Sequence, residues 1–390
     1  MFPLLTLLMT PLISLAVAAE LTPSEAVRAA LANDPELAAR RADVEAATGL
    51  RRESGFLRYN PEVDLSVSTD GSRLTGSIVQ PLSITGEGFS AARSARAGLD
   101  AAEAGAERAR FETAAATRRA YARAVVAREQ LRFAENDREL LARLRGIAEA
   151  RLSAGEGIDL DLRLSRLEEA RAMAAWLDAQ AEASAADSDL SALIGMTPDE
   201  LARDPLTAGP ADSGAQSPRS DVVAAEAATR SARAALSRER AAVLPAVGLG
   251  AFYEADAGST IFGPALTVQV PLWNRNQSGV GAARGNLGLA ESVEASTAAR
   301  AATEEARSAE RLRVAEESLT TLAPDIDAEA APALRAIEAL FTSGEANLSD
   351  TLLLRSRVVE GQRAWIDARA AVAVARIDVA LARQSESLLP

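Results

Sequence analysis

Two hydrophobic periods alternate along the chain. Over residues 21–58, Ala, Val and Leu recur every three or four positions. Thr22 or Ser24 is placed to cap a first helix, and Pro35 opens a second after Asn33-Asp34. Near Asn60-Pro61 the period drops to two. Val63, Leu65 and Val67 alternate with Asp64, Ser66 and Ser68, Asp70-Gly71 supplies a turn, and a second strand runs from Leu74 to Gln80 and stops at Pro81-Leu82. No proline then occurs until Pro198. The spacing predicts one helix over about 87–154, on the order of 100 Å long, and a returning helix over about 159–193 carrying Leu160, Leu164, Leu167, Met173 and Leu177. Residues 203–218, rich in Pro, Gly, Ser and Asp, read as a linker.

After the linker the same order returns. A helix over 219–242 leads to Leu244-Pro245-Ala246-Val247, the echo of Asn60-Pro61-Glu62-Val63. Val247, Leu249, Ala251 and Tyr253 form one strand and Ala265 to Val270 another, ending at Pro271-Leu272 as the first pair ends at Pro81-Leu82. A long helix spans about 277–322, disturbed by Pro324 and Pro332, and the last covers about 348–386. Each long segment turns at a related motif, RLSAGEGIDLDLRLSR at 151–166 and LFTSGEANLSDTLLLR at 340–355. Gly155/Gly344, Glu156/Glu345, Asp161/Asp350, Leu164/Leu353 and Arg166/Arg355 coincide. A glycine ending a run of helix formers is a stop signal, because it enters the left-handed region without a Cβ clash. Asp159 or Ser349 is placed to cap the next helix. The chain thus divides into 20–202 (strand pair 62–81, tip near 153–158) and 219–390 (strand pair 246–271, tip near 342–348).

Composition narrows the chemistry. The chain contains no Cys, no His and no Lys, so a thiolate zinc site, a cysteine nucleophile and the commonest general base are all excluded. No paired-carboxylate arrangement emerges either, so no catalytic residue, metal site or cofactor is expected. The glycines at 279–285 follow a strand but lack the dinucleotide spacing and a βαβ setting. The net charge of −13 argues against nucleic acid. Arg/Glu runs such as Glu135–Arg145 read as solvated helix faces. Residues 1–19 are apolar and end in small residues, which predicts a cleaved signal peptide without the usual basic start.

Four alternating strands cannot close on themselves, and an open edge in a bilayer leaves backbone N–H and C=O groups unsatisfied. Three chains would contribute about twelve strands, enough to close around a lumen. The competing reading is a pair of β-hairpins on a soluble coiled-coil rod, a secreted or periplasmic structural or adaptor protein.

The order of elements, the duplicated tip, Pro81-Leu82, the opening LTPSEAVRAALANDPELAAR (21–40) and PLWNRNQ (271–277) resemble the TolC-type outer-membrane efflux channel family. The last two are most similar to its heavy-metal (cation) efflux branch. The resemblance implies a mainly α chain with a small β part. It implies a homotrimer with a twelve-stranded transmembrane barrel in the outer membrane of a Gram-negative bacterium and a helical tunnel in the periplasm. A periplasmic adaptor and an inner-membrane pump, often of the resistance-nodulation-division type, are the implied partners. The chain would then be a passive exit duct for cations or small toxic compounds. Many members of that branch carry a lipidated cysteine, which this chain lacks.

By the same resemblance Asp350 aligns with an aspartate lining the periplasmic constriction, where threefold symmetry would make a carboxylate ring that attracts cations. Helix capping is the alternative role. Asp161 holds the equivalent place in the first tip. Leu353 stands where some members carry a second aspartate, and a leucine ring would seal by dewetting. Gly155, Glu156, Gly344 and Glu345 are expected to contact the adaptor, because the tips project furthest from the membrane. Trp273, at the strand–helix junction with Pro81 and Pro271, reads either as an interfacial residue or as a buried packing residue.

Overall fold

The computed structural model describes residues 20–53, 59–69, 73–82, 86–198, 201–202, 218–244, 246–256, 258–270, 273, 275–322 and 326–390. The expected signal peptide and residues 203–217 of the expected linker lie outside the described residues, as do Asp70-Gly71, Pro271, Asn274 and Pro324. Among the described residues eight α-helices and four strands follow in the order α1 (Pro23–Asn33), α2 (Pro35–Glu53), β1 (Glu62–Val67), β2 (Arg73–Leu82), α3 (Glu87–Ser153), α4 (Asp159–Ile194), α5 (Ser220–Ala241), β3 (Ala246–Asp256), β4 (Ser259–Gln269), α6 (Gln277–Thr321), α7 (Ile326–Ser343) and α8 (Leu348–Ala382). The fold is mainly α with one small sheet, and the helix–hairpin–helical-hairpin unit occurs twice.

Local chemistry accounts for most boundaries. Thr22 and Glu25 close a reciprocal capping box at the start of α1. Two sequence expectations about caps fail. Asp159 is the first residue of α4 and does not cap it. At α8 the cap is Asn347, not Ser349. Asn276 occupies the cap position of α6 at φ 55°, but its amide bonds Glu239 on α5. The second strand also continues through Pro81 to Leu82. Strand β1 begins opposite Val79, so β2 has lost one neighbour by Pro81, and a missing donor there costs no ladder bond. Strand β4 begins at Ser259, ahead of the expected Ala265, because Pro264 lies on an outer strand.

The helices pack through alanine. Ala26 and Ala30 of α1, Ala120, Ala124 and Ala127 of α3, Ala183 and Ala186 of α4 and Ala373 of α8 share one core around Tyr121. With side chains this small, axes approach closely, which explains how a chain with 4% aromatics buries a core. Towards the tips a second core joins Leu140, Leu141 and Leu144 to Phe341 and Leu348. Arginines tie the elements laterally, with Arg128 on Asp187 at 3.0 Å and Arg119 on Asp378 at 2.6 Å.

Tyr121 is buried and donates its hydroxyl to the backbone carbonyl of Leu21, fastening the start of the described chain to α3. Burial pushes its phenol up to about 12. The folded pKa lies above the unfolded value of 10.0, so this contribution is present below pH 10 and lost as pH rises from 10 towards 12. Thermal unfolding should show a stability advantage over Tyr121→Phe that shrinks by about 2 kcal/mol across that window. A difference that stays flat from pH 9 to 12 would contradict the assignment.

Candidate functional site: a two-faced sheet and paired helical tips

The strands form one antiparallel sheet in the order β1-β2-β3-β4. Its register sorts side chains by face. Val63 opposes Ile78, which opposes Ala251 and then Pro264. The adjacent row runs Leu65, Gly76, Tyr253, Phe262, and the rows beyond bring Leu249 beside Leu266 and Val247 beside Val268. This face is apolar except at Gln80 and Thr260 and is open, with Val63 74% and Phe262 75% exposed. The other face carries Asp64, Ser66, Thr75, Ser77, Glu254 and Thr267, with Phe252 lying over Gly263, where a Cβ would come within 2.9 Å of the ring. A sheet apolar outwards and polar inwards is the pattern of a lipid-facing barrel wall. No described helix is long and apolar enough to cross a membrane. Among the described residues the outer strands β1 and β4 each lack a partner on one side.

At the opposite end of the long helices each tip is built on a left-handed glycine. In the first, Gly155 has φ +76°, and the N–H groups of Glu156 and Gly157 donate to the Arg151 carbonyl at 2.9 and 3.1 Å. Gly157, which sequence reasoning does not single out, is equally constrained, since a Cβ there would lie 2.8 Å from the Leu152 nitrogen. In the second, Gly344 has φ +83° and Ala346 N–H donates to Leu340 at 3.1 Å. Both closures spend otherwise orphaned helix-end carbonyls.

The two tips touch through Arg151, another residue that sequence reasoning does not flag. Its Nη2 donates to the Phe341 carbonyl at 2.6 Å, and its guanidinium centre sits 4.8 Å from the Phe341 ring centroid. A cation there meets the carbonyl end of α7, where the helix dipole is negative. A Cβ on Gly344 would lie 3.3 Å from the same nitrogen.

Asp350 occupies the first turn of α8. Its N–H donates to Asn347 Oδ1 at 2.8 Å, and Asn347 Nδ2 returns a bond to Asp350 Oδ2 at 2.8 Å. The carboxylate therefore serves the cap while remaining exposed. Leu353 is 53% exposed on the same helix. Asp161 is half-buried in the first turn of α4, and among the described residues no hydrogen bond or ion pair joins it to Asp350. Glu156 and Glu345 are exposed at their tips. Trp273 is 87% exposed, so within the chain it is not a packing residue. Pro81 is the penultimate residue of β2, away from the tips.

Among the described residues no group of three or more acidic side chains is placed to hold a metal. A comparison with curated protein sequences returns no match. Solved structures do match. CusC superposes with a TM-score of 0.75 at 18% identity, over 94% of this chain and 92% of that one. The outer-membrane channel OprN gives 0.76 at 18% identity over 94% and 90%. VceC from Vibrio cholerae gives 0.75 at 19% identity over 93% and 95%. The family model for outer membrane efflux proteins matches twice, at residues 26–196 and 213–383. With a two-faced sheet at one end, paired helical tips at the other and this match along nearly all of its length, the chain belongs to the outer membrane efflux protein family.

Proposed function

We propose that the chain is the outer-membrane exit duct of a tripartite efflux system, a homotrimer working with a periplasmic adaptor and an inner-membrane pump. The observation that carries this reading is the sheet. It presents an apolar face to its surroundings and a polar face behind it, and its outer strands have no partner on one side among the described residues. Three copies joining β1 of one to β4 of the next satisfy those edges and enclose a polar lumen. A soluble rod has no use for that face, so the periplasmic structural alternative is not favoured.

The duct performs no chemistry. It supplies a closed aqueous path, and the pump supplies the energy. At the periplasmic end three copies of Asp350 form an acidic ring and three of Leu353 an apolar one, with Asp161 nearby on α4. The tips at Gly155, Glu156, Gly344 and Glu345 receive the adaptor. A resistance-nodulation-division pump and a cationic cargo fit the LTPSEAVRAALANDPELAAR and PLWNRNQ segments. The chain has no Cys or His, and beyond residue 19 its only soft ligand atoms are the thioethers of Met173 and Met196. Any metal selectivity therefore belongs to the partners.

Asp350→Ala tests the ring. In planar bilayers the variant should lose cation preference or gain conductance by about twofold, since three carboxylates leave one narrow section. Unchanged conductance and selectivity would remove Asp350 from the gate.

A further inference from the structure

Within the run Glu135–Arg145 one charged residue does not face water. Asp137 on α3 is 3% exposed, and Arg355 on α8, at 8%, meets it in a two-point contact. Arg355 Nε donates to Asp137 Oδ1 at 2.7 Å and its Nη2 donates to Oδ2. Glu168 on α4 lies 3.9 Å from Arg355 Nη1. One arginine of α8 is thus tied to both helices of the first hairpin.

The position of Arg355 on α8 gives the contact a consequence. Leu348, Thr351, Arg355 and Val359 are all buried and recur at three- and four-residue spacing, so they form one stripe facing the rest of the chain. At ~100° per residue, Asp350 and Leu353 fall roughly 150° from the middle of that stripe. Leu348 and Val359 pack by shape alone, which tolerates small rotations of the helix. A guanidinium fork on a carboxylate does not, because both bonds must stay short and nearly coplanar.

We infer that Arg355, held by Asp137, is a positioning residue for the constriction: it fixes the rotation of α8 about its own axis and so aims Asp350 and Leu353. This rests on the reading of their face as pore-lining. Removing the Asp137 charge leaves a buried cation that α8 must turn to hydrate. Glu168 offers Arg355 no such fork, since one of its oxygens accepts a 2.6 Å bond from Arg171 and only the other lies towards Arg355, at 3.9 Å.

The test uses the purified full-length trimer in planar bilayers with Asp137→Asn, Arg355→Lys and the apolar double replacement Asp137→Leu with Arg355→Met. Asp137→Asn should change single-channel conductance at least twofold and move the cation-to-anion permeability ratio towards one. Arg355→Lys keeps the charge without the fork and should fall between this variant and the parent. The double variant separates positioning from stability. Nothing charged is left buried, so its unfolding temperature should return to that of the parent. Its conductance should stay altered, because no directional tie remains. A double variant with parental conductance and selectivity would overturn the inference, as would an unaltered Asp137→Asn. If Asp137→Asn fails to assemble, the double variant alone decides. A parent that opens no pore removes the exit-duct reading and this inference together, whereas a conducting parent with unaltered variants removes only this inference.

Discussion

Gly344→Trp should abolish efflux while leaving the trimer intact. Two costs fall on the same residue. At φ +83° any side chain enters the left-handed region, at a cost of about 1–2 kcal/mol for a non-glycine. Its Cβ also arrives 3.3 Å from Arg151 Nη2, so a bulky group displaces the guanidinium from the Phe341 carbonyl and separates the tips. The alanine core around Tyr121 and the sheet lie elsewhere and keep their packing. Gly344→Asn serves as the control, because asparagine tolerates the left-handed region. In a host lacking its own channel, resistance to a panel of metal cations and organic toxicants should vanish with Trp and persist with Asn. Unheated gel migration should show trimer in both. Full resistance with Trp would count against adaptor docking at this tip.

Ile78→Arg should prevent assembly in the outer membrane, whereas Ser77→Arg one residue away should be tolerated. Ile78 sits on the apolar face in the row Val63, Ile78, Ala251, Pro264. An arginine near the bilayer midplane costs about 2–4 kcal/mol per copy, and threefold symmetry imposes it three times. Ser77 faces the other side, opposite Asp64 on one neighbour and Phe252 on the other, where an arginine meets water and a carboxylate. Membrane fractionation should find the Ser77→Arg trimer and no Ile78→Arg trimer. Equal tolerance of both substitutions would mean that the sheet faces have been misassigned.

Much of this architecture is legible in the sequence because it is written in local chemistry. The switch from a three-to-four period to a period of two marks both hairpins, and the coincidence of Gly155 with Gly344 exposes the repeat from the residues alone. Left-handed glycines at both tips follow from their place after long helix-forming runs. What the sequence hides is what connects distant segments. Asp137 stands in an Arg/Glu-rich run that reads as a wet surface, and only the fold brings Arg355 to it. Arg151 closing on Phe341 is invisible for the same reason. Ser349 lies nearer the apolar run Leu352–Leu354 and so reads as the cap, although it is Asn347 that reaches the Asp350 N–H. In sequence one strand stops at Pro81-Leu82 and another starts only at Ala265; the sheet order places Pro81 and Pro264 where a neighbour is missing.

The central claim is that one chain holds only part of a membrane wall. The direct measurement is the particle mass of the detergent-extracted full-length protein, taken with its activity in a planar bilayer. The expected particle contains three chains and opens discrete, water-filled channels. A lone protomer that remains stably folded in detergent and conducts nothing would contradict it.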